Sequence, residues 1–106
     1  MSETQLVKAC LDYLHVRGVW CYRNNTGAMR AGSRFIRFGV PGLPDIIGIW
    51  PGGSGKFFGV ECKVGRNKQT TEQSLMQARI ERANGLYWVI RSIDDLLLLF
   101  GEKIAC

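Results

Sequence analysis

Histidine is nearly absent from this chain: His15 is the only one in 106 residues. The four cysteines, Cys10, Cys21, Cys62 and Cys106, form no C-x-x-C pair. Structural zinc held by Cys and His typically uses such close pairs, so this spacing argues against a structural zinc site. Long apolar runs are missing as well. None approaches the roughly 20 residues that span a bilayer, and the first residues lack the basic, apolar and small-residue blocks of a secretory signal. The expectation is a cytoplasmic protein with reduced thiols and no membrane partner. No repeat, low-complexity tract or flexible tether interrupts the chain, so residues 1–106 read as one domain, and 46% hydrophobic content suffices for one modest core.

Acidic residues are missing from one long interval. No Asp or Glu occurs between Asp12 and Asp45, a span that carries Arg17, Arg23, Arg30, Arg34 and Arg37. The formal net charge is +5 and the pI about 9.3. A basic stretch running directly into carboxylates suits a polyanionic substrate, because the arginines hold phosphates that acids alone would repel. The plainer reading is a solvated basic face.

Three polar residues, by contrast, sit inside apolar segments: Asp45 in Leu-Pro-Asp-Ile-Ile, and Glu61 and Lys63 in Val-Glu-Cys-Lys-Val. Pro51-Gly52-Gly53-Ser54-Gly55 separates these segments and reads as the turn of a hairpin running from Asp45 to Trp50 and from Lys56 to Val64. Asp45 and Glu61 are equally far from Gly53. A regular hairpin therefore makes them cross-strand neighbours, with Cβ atoms roughly 4.5–5.5 Å apart. Glu61 and Lys63 share a face, while Phe58, Val60, Cys62 and Val64 point the other way and build core. Buried charge needs a partner, and a divalent cation between the carboxylates would serve, which points to metal-assisted hydrolysis. A simple ion pair of Lys63 with Glu61 or Asp45 is the bland alternative.

The flanking elements follow from periodicity. Ser2 and Gln5 have the spacing of a capping box ahead of Leu6, Val7, Cys10, Leu11 and Leu14, a helical stripe ending near Arg17-Gly18. Glu3 extends that stripe, or is simply an acid favoured by the helix N-terminus. Val19 to Arg23 reads as a strand and Asn24 to Gly27 as a turn, and Ser33 to Phe38 is a further possible strand. Thr70 caps a helix over 72–84 with Met76, Ile80 and Ala83 inward and Gly85 as its stop signal. Gln73 either completes a capping box with Thr70 or reaches a water or phosphate at the site. Leu86 to Ile90 reads as a short buried strand, and Ser92-x-x-Asp95 opens a last helix through Phe100. Its run Leu96 to Phe100 is apolar on every side, suited to the core or to a subunit interface. The pattern is α/β, with α+β character: a mixed sheet flanked by helices, in the order α-β-β-β-α-β-α or with one more strand at Ser33 to Phe38.

The ordered set Gly42-x-Pro44-Asp45, Glu61-x-Lys63 and Thr70-Thr71-Glu72-Gln73 resembles the PD-(D/E)xK nuclease superfamily. In detail it is similar to the virus-type replication-repair nuclease (VRR-NUC) family, including Glu3 in the first helix, Arg23 and Asn25 before the glycine turn, and Gly85 followed by Arg91-Ser92-x-Asp94. Cys62 departs from the usual aliphatic residue inside Glu-x-Lys. The resemblance covers nearly the whole chain and implies a restriction-endonuclease-like fold and a Mg²⁺- or Mn²⁺-dependent DNA endonuclease of the stand-alone kind found in phages and bacteria. It implies that Asp45 and Glu61 bind metal with the Cys62 main-chain carbonyl, that Glu3 binds directly or through water, and that Gln73 steadies Lys63 or the water. Lys63 would orient the attacking water or stabilise charge on the phosphate. Stand-alone relatives resemble Holliday-junction resolvases and tend to be homodimers, which suits branched DNA. A nuclease-fold DNA-binding module without catalysis, an enzyme acting on RNA, and a nuclease subunit of a larger phage or restriction machine are the alternatives.

Overall fold

The computed structural model describes residues 1–25 and 27–101, with backbone alone at 27, 28 and 38. Ser2 opens α1 (Glu3–Val16) with both hydrogen bonds of a capping box: its hydroxyl accepts from the Gln5 N–H, and the Gln5 side chain accepts from the Ser2 N–H. Leu6, Val7, Cys10 and Leu14 recur at helical spacing and are buried. After the glycine exit at Gly18, His15 Nε2 lies 3.0 Å from the Cys21 carbonyl oxygen and ties the helix end to β1 (Cys21–Arg23). Two strands follow, β2 (Gly27–Ala31) and β3 (Arg34–Phe38), then β4 (Ile46–Ile49) and β5 (Phe57–Cys62) around the Pro51–Gly55 turn. The chain crosses through α2 (Thr71–Arg82) to β6 (Leu86–Ile90) and ends in α3 (Ile93–Leu99).

The main sheet has the order β1-β4-β5-β6. β4 runs antiparallel to its neighbours β1 and β5, and β6 lies parallel to β5, so the sheet is mixed. One face carries Phe58, Val60, Cys62 and Ile90, which close with α1 and Leu96 of α3 into the hydrophobic core. Trp50 stacks among Phe58, Trp88 and Phe100, with centroids 5.2, 4.5 and 5.2 Å away. The last helix is thereby held to the core: Leu96 is fully buried and Phe100 joins the aromatic cluster, while Leu98 remains exposed. On the opposite face Gln69, in the loop before α2, donates to Gln77 of α2 and to the Tyr87 hydroxyl of β6.

Several sequence expectations need correction. The order is α-β-β-β-β-β-α-β-α, because residues 27–31 form an unanticipated strand. Ser33 to Phe38 does contain a strand, but it pairs with residues 27–31 in a separate two-stranded sheet and does not join the main one. Gly32, at φ +64°, and Ser33 form the two-residue connection between Ala31 and Arg34, a hairpin signal hidden in Ala-Gly-Ser. Of the turn read at 24–27, Thr26 lies outside the described residues, as does Cys106. The helix after Thr70 ends at Arg82, Ala83 is its exposed C-cap, and the left-handed residue that stops it is Asn84, at φ 71°, not Gly85. Gly85 is required for room, since a Cβ there would come within 2.7 Å of Ile80 Cγ2. Ser92 precedes α3 without a side-chain cap; Asp95 instead accepts from the Arg91 N–H at 2.9 Å.

Candidate active site

The β4–β5 register pairs Ile46 with Val60. One step further places Asp45 opposite Glu61, as counting around Gly53 anticipates. Three contacts fix Asp45 there. Its Oδ2 accepts from the Cys62 N–H at 2.8 Å, its carbonyl accepts from the Asn24 N–H at 2.8 Å, and the preceding Pro44 lies flat on β5. A Cβ on Gly59 would stand 2.4 Å from Pro44 Cγ, so the glycine is what lets the Gly39–Pro44 segment cross the sheet this closely. That segment also presses on α2, where a Cβ on Gly42 would come 2.7 Å from the Glu72 carbonyl oxygen.

Glu61 is 1% exposed and Lys63 7%, the two buried charged residues of the described chain. Lys63 follows the end of β5, and its N–H donates to the Ile90 carbonyl at 3.0 Å, which carries the strand alternation one step past the ladder and keeps it on the Glu61 face. Burial, the hydrogen-bonding Asp45 carboxyl and its charge push Glu61 up to about 9, against a smaller pull downward from Lys63. The bland pairing of Lys63 with either acid is not formed: the one ion pair among the described residues is Lys8–Asp12, on the surface. Glu61 Oε2 is buried and has no hydrogen-bond partner among the described residues.

Glu3 is half-buried at the first turn of α1. Its Oε2 accepts from Asn67 Nδ2 at 3.3 Å, and its charge adds to the upward push on Glu61. Asn67 escaped the sequence reading; a polar residue in the loop between Lys63 and Thr70 gives little signal before that loop is seen to fold back onto α1. Gln73 forms the capping box: its Oε1 accepts from the Thr70 N–H at 2.8 Å, and the Thr70 hydroxyl accepts from the Gln73 N–H at 3.1 Å. Arg23 pairs with Ile46 at the same end of the sheet, with Asn25 exposed just beyond. Arg30, Arg34 and Arg37 lie instead on the β2–β3 hairpin. The sheet end thus assembles Asp45, Glu61 and Lys63 at its centre, with Glu3 and its partner Asn67 beside them; Arg23 lies at the same end on the Ile46 face of the sheet, and Gln73 is held to Thr70 at the start of α2. A cavity of about 510 Å³ at the opposite sheet end, lined by Lys56, Phe57, Met76, Arg79 and Ile80, contains none of these residues.

The residues fit a hard divalent cation. Two facing carboxyl groups, one with an orphaned buried oxygen, form a donor set that neutralising charge would stabilise. Among the described residues no three Cys, His, Asp or Glu side chains close into a metal cage by themselves, so main-chain and water oxygens would complete the shell, as is usual for Mg²⁺. No helix among the described residues is long and apolar enough to cross a membrane. No protein-family model matches the chain, and no curated protein matches it either.

Proposed function

We propose that the chain is a metal-dependent DNA endonuclease with a restriction-endonuclease-like fold, of the VRR-NUC type its motifs resemble. The observation that carries this reading is the buried Glu61 and Lys63 beside the half-buried Asp45, with one Glu61 oxygen unsatisfied. Asp45 and Glu61 would hold Mg²⁺ or Mn²⁺ together with the Cys62 carbonyl, and Glu3 through water. The ion, when bound, supplies Lewis-acid polarisation of the phosphoryl oxygen and a bound water of lowered pKa. The chain's own groups do the remaining work. Lys63, buried and unpaired with either acid, directs its ammonium toward the developing charge on the phosphate or toward the attacking water. Asp45 is preorganised by the Cys62 and Asn24 amides before any substrate arrives. Arg23 and the hairpin arginines hold the flanking phosphates. A homodimer would offer two such sites to the two strands of a branched substrate.

The direct test is cleavage of single-stranded, duplex, flap and four-way-junction DNA with Mg²⁺, Mn²⁺ or EDTA. Cutting in metal that stops in EDTA, and in Asp45→Ala and Lys63→Ala, is the expected result. A wild-type chain that binds DNA but leaves every substrate intact would sink the reading. Calorimetry with Mn²⁺ should show binding that Glu61→Ala loses, and light scattering at micromolar concentration reads the dimer.

A further inference from the structure

The β2–β3 hairpin pairs only with itself and stands outside the four-stranded sheet. A two-stranded ribbon in water is marginal by itself, so an exposed face of this one is a candidate for contact with a partner. Cross-strand register pairs Arg30 with Phe35, and strand alternation adds Arg37 to their face. The Arg37 guanidinium lies 5.9 Å from the Phe35 ring centroid. Met29 opposite Ile36 occupies the reverse face, with Ala31 and Arg34 next to the turn. Phe35 is 63% exposed, and Arg30, Arg34 and Arg37 are exposed as well. No acidic residue offsets the arginines anywhere from 13 to 44. Both roots of the hairpin lead to the Asp45 backbone: Asn24 donates to the Asp45 main-chain carbonyl on one side, and the Gly39–Pro44 segment runs into Asp45 on the other.

We propose that this hairpin is a β-ribbon that enters the major groove of B-form DNA beside the site, with the Arg30–Phe35–Arg37 face toward the base edges and Arg34 at the groove rim. The inference rests on the nuclease reading for its position and names the substrate class: double-stranded DNA arms. The fit is dimensional as well as electrostatic. Two strands roughly 4.8 Å apart, with side chains, match a groove about 12 Å wide, which admits a two-stranded ribbon. A-form RNA presents a deep, narrow major groove that side chains cannot read, and a single strand presents none.

The test uses the full chain carrying Glu61→Gln, which keeps DNA uncut, with labelled DNA duplex, RNA duplex of the same sequence, and single-stranded DNA. The parent should prefer the DNA duplex over the RNA duplex by at least about tenfold. Arg30→Gln with Arg37→Gln should lower duplex affinity by about thirtyfold or more, erase the preference, and leave the melting temperature unchanged, since neither side chain is buried. Guanine N7 should be shielded from dimethyl sulfate by the parent and not by this double variant. Met29→Ser with Ile36→Ser should keep the parental affinity. Equal affinity for the two duplexes, or unshielded N7 in the bound parent, overturns the proposal. So does the inverse pattern, in which Met29→Ser with Ile36→Ser converts a dimer to a monomer while the arginine variant binds as the parent does, because the hairpin is then an interface between copies. Hairpin-dependent binding without any cleavage by the wild type in Mn²⁺ overturns the nuclease reading alone; cleavage indifferent to the arginine variant overturns the ribbon alone.

Discussion

Glu61 gives the metal-free protein a pH signature of definite sign. Its folded pKa is raised to about 9 from an ordinary 4.5, so between these values the folded state holds a proton that the unfolded state has released. Stability is undiminished below pH 4.5 and falls as pH rises toward 9. Thermal melts in EDTA should therefore decline across this window, and Glu61→Gln should flatten the decline and melt higher than wild type at pH 8. Adding Mn²⁺ at pH 8 should restore the wild type, by about 2.7 kcal/mol at a hundredfold excess over Kd, and leave Glu61→Gln unmoved. A steeper decline in the mutant would refute the assignment. Gln73 is separable in the same way. Gln73→Glu retains an oxygen acceptor for the Thr70 N–H, so stability should hold; if cleavage also holds, the side chain is a cap and nothing more. Asp45, Glu61 and Lys63 were legible as a set because charge inside an apolar strand is a contradiction that spacing alone exposes. Asn67 was not, because nothing local marks a loop amide that meets its acid partner only through tertiary folding.

At the scale of elements, capping boxes and the central hairpin were readable because their chemistry is local: Ser2 with Gln5, Thr70 with Gln73, and a glycine-rich turn that fixes register. The failures share a physical cause. A two-residue turn at Gly32-Ser33 is a weak signal among scattered arginines, and Gly85 is needed for room against Ile80 while Asn84 takes the left-handed position, a tertiary contact that sequence does not display. Thr70→Ala should cost about 1 kcal/mol in urea unfolding through loss of the α2 cap. Gly59→Ala should cost about 1–3 kcal/mol by overpacking against Pro44. It should also lower activity beyond what that loss explains, because Pro44 immediately precedes Asp45. Wild-type activity in a correctly folded Gly59→Ala chain would show that the crossing segment does not position the acid.

For the whole molecule, the arrangement divides labour along the strands. One end of the sheet gathers groups from α1, β1, β4, β5 and the loop before α2, while the other end holds the Pro51–Gly55 turn and the cavity between β5 and α2. The Pro51–Gly55 connection lies at that quiet end, where Gly52, Gly53 and Gly55 all have positive φ and a Cβ on any of them would meet nothing within 4 Å. No predicted site residue belongs to it, and only Ser54 and Gly55 reach the rim of the cavity beside α2. It is the natural port of the scaffold: a peptide tag, a fluorophore or an entire second domain spliced between Gly53 and Ser54 would travel with the molecule while the carboxylates at the far end keep their spacing.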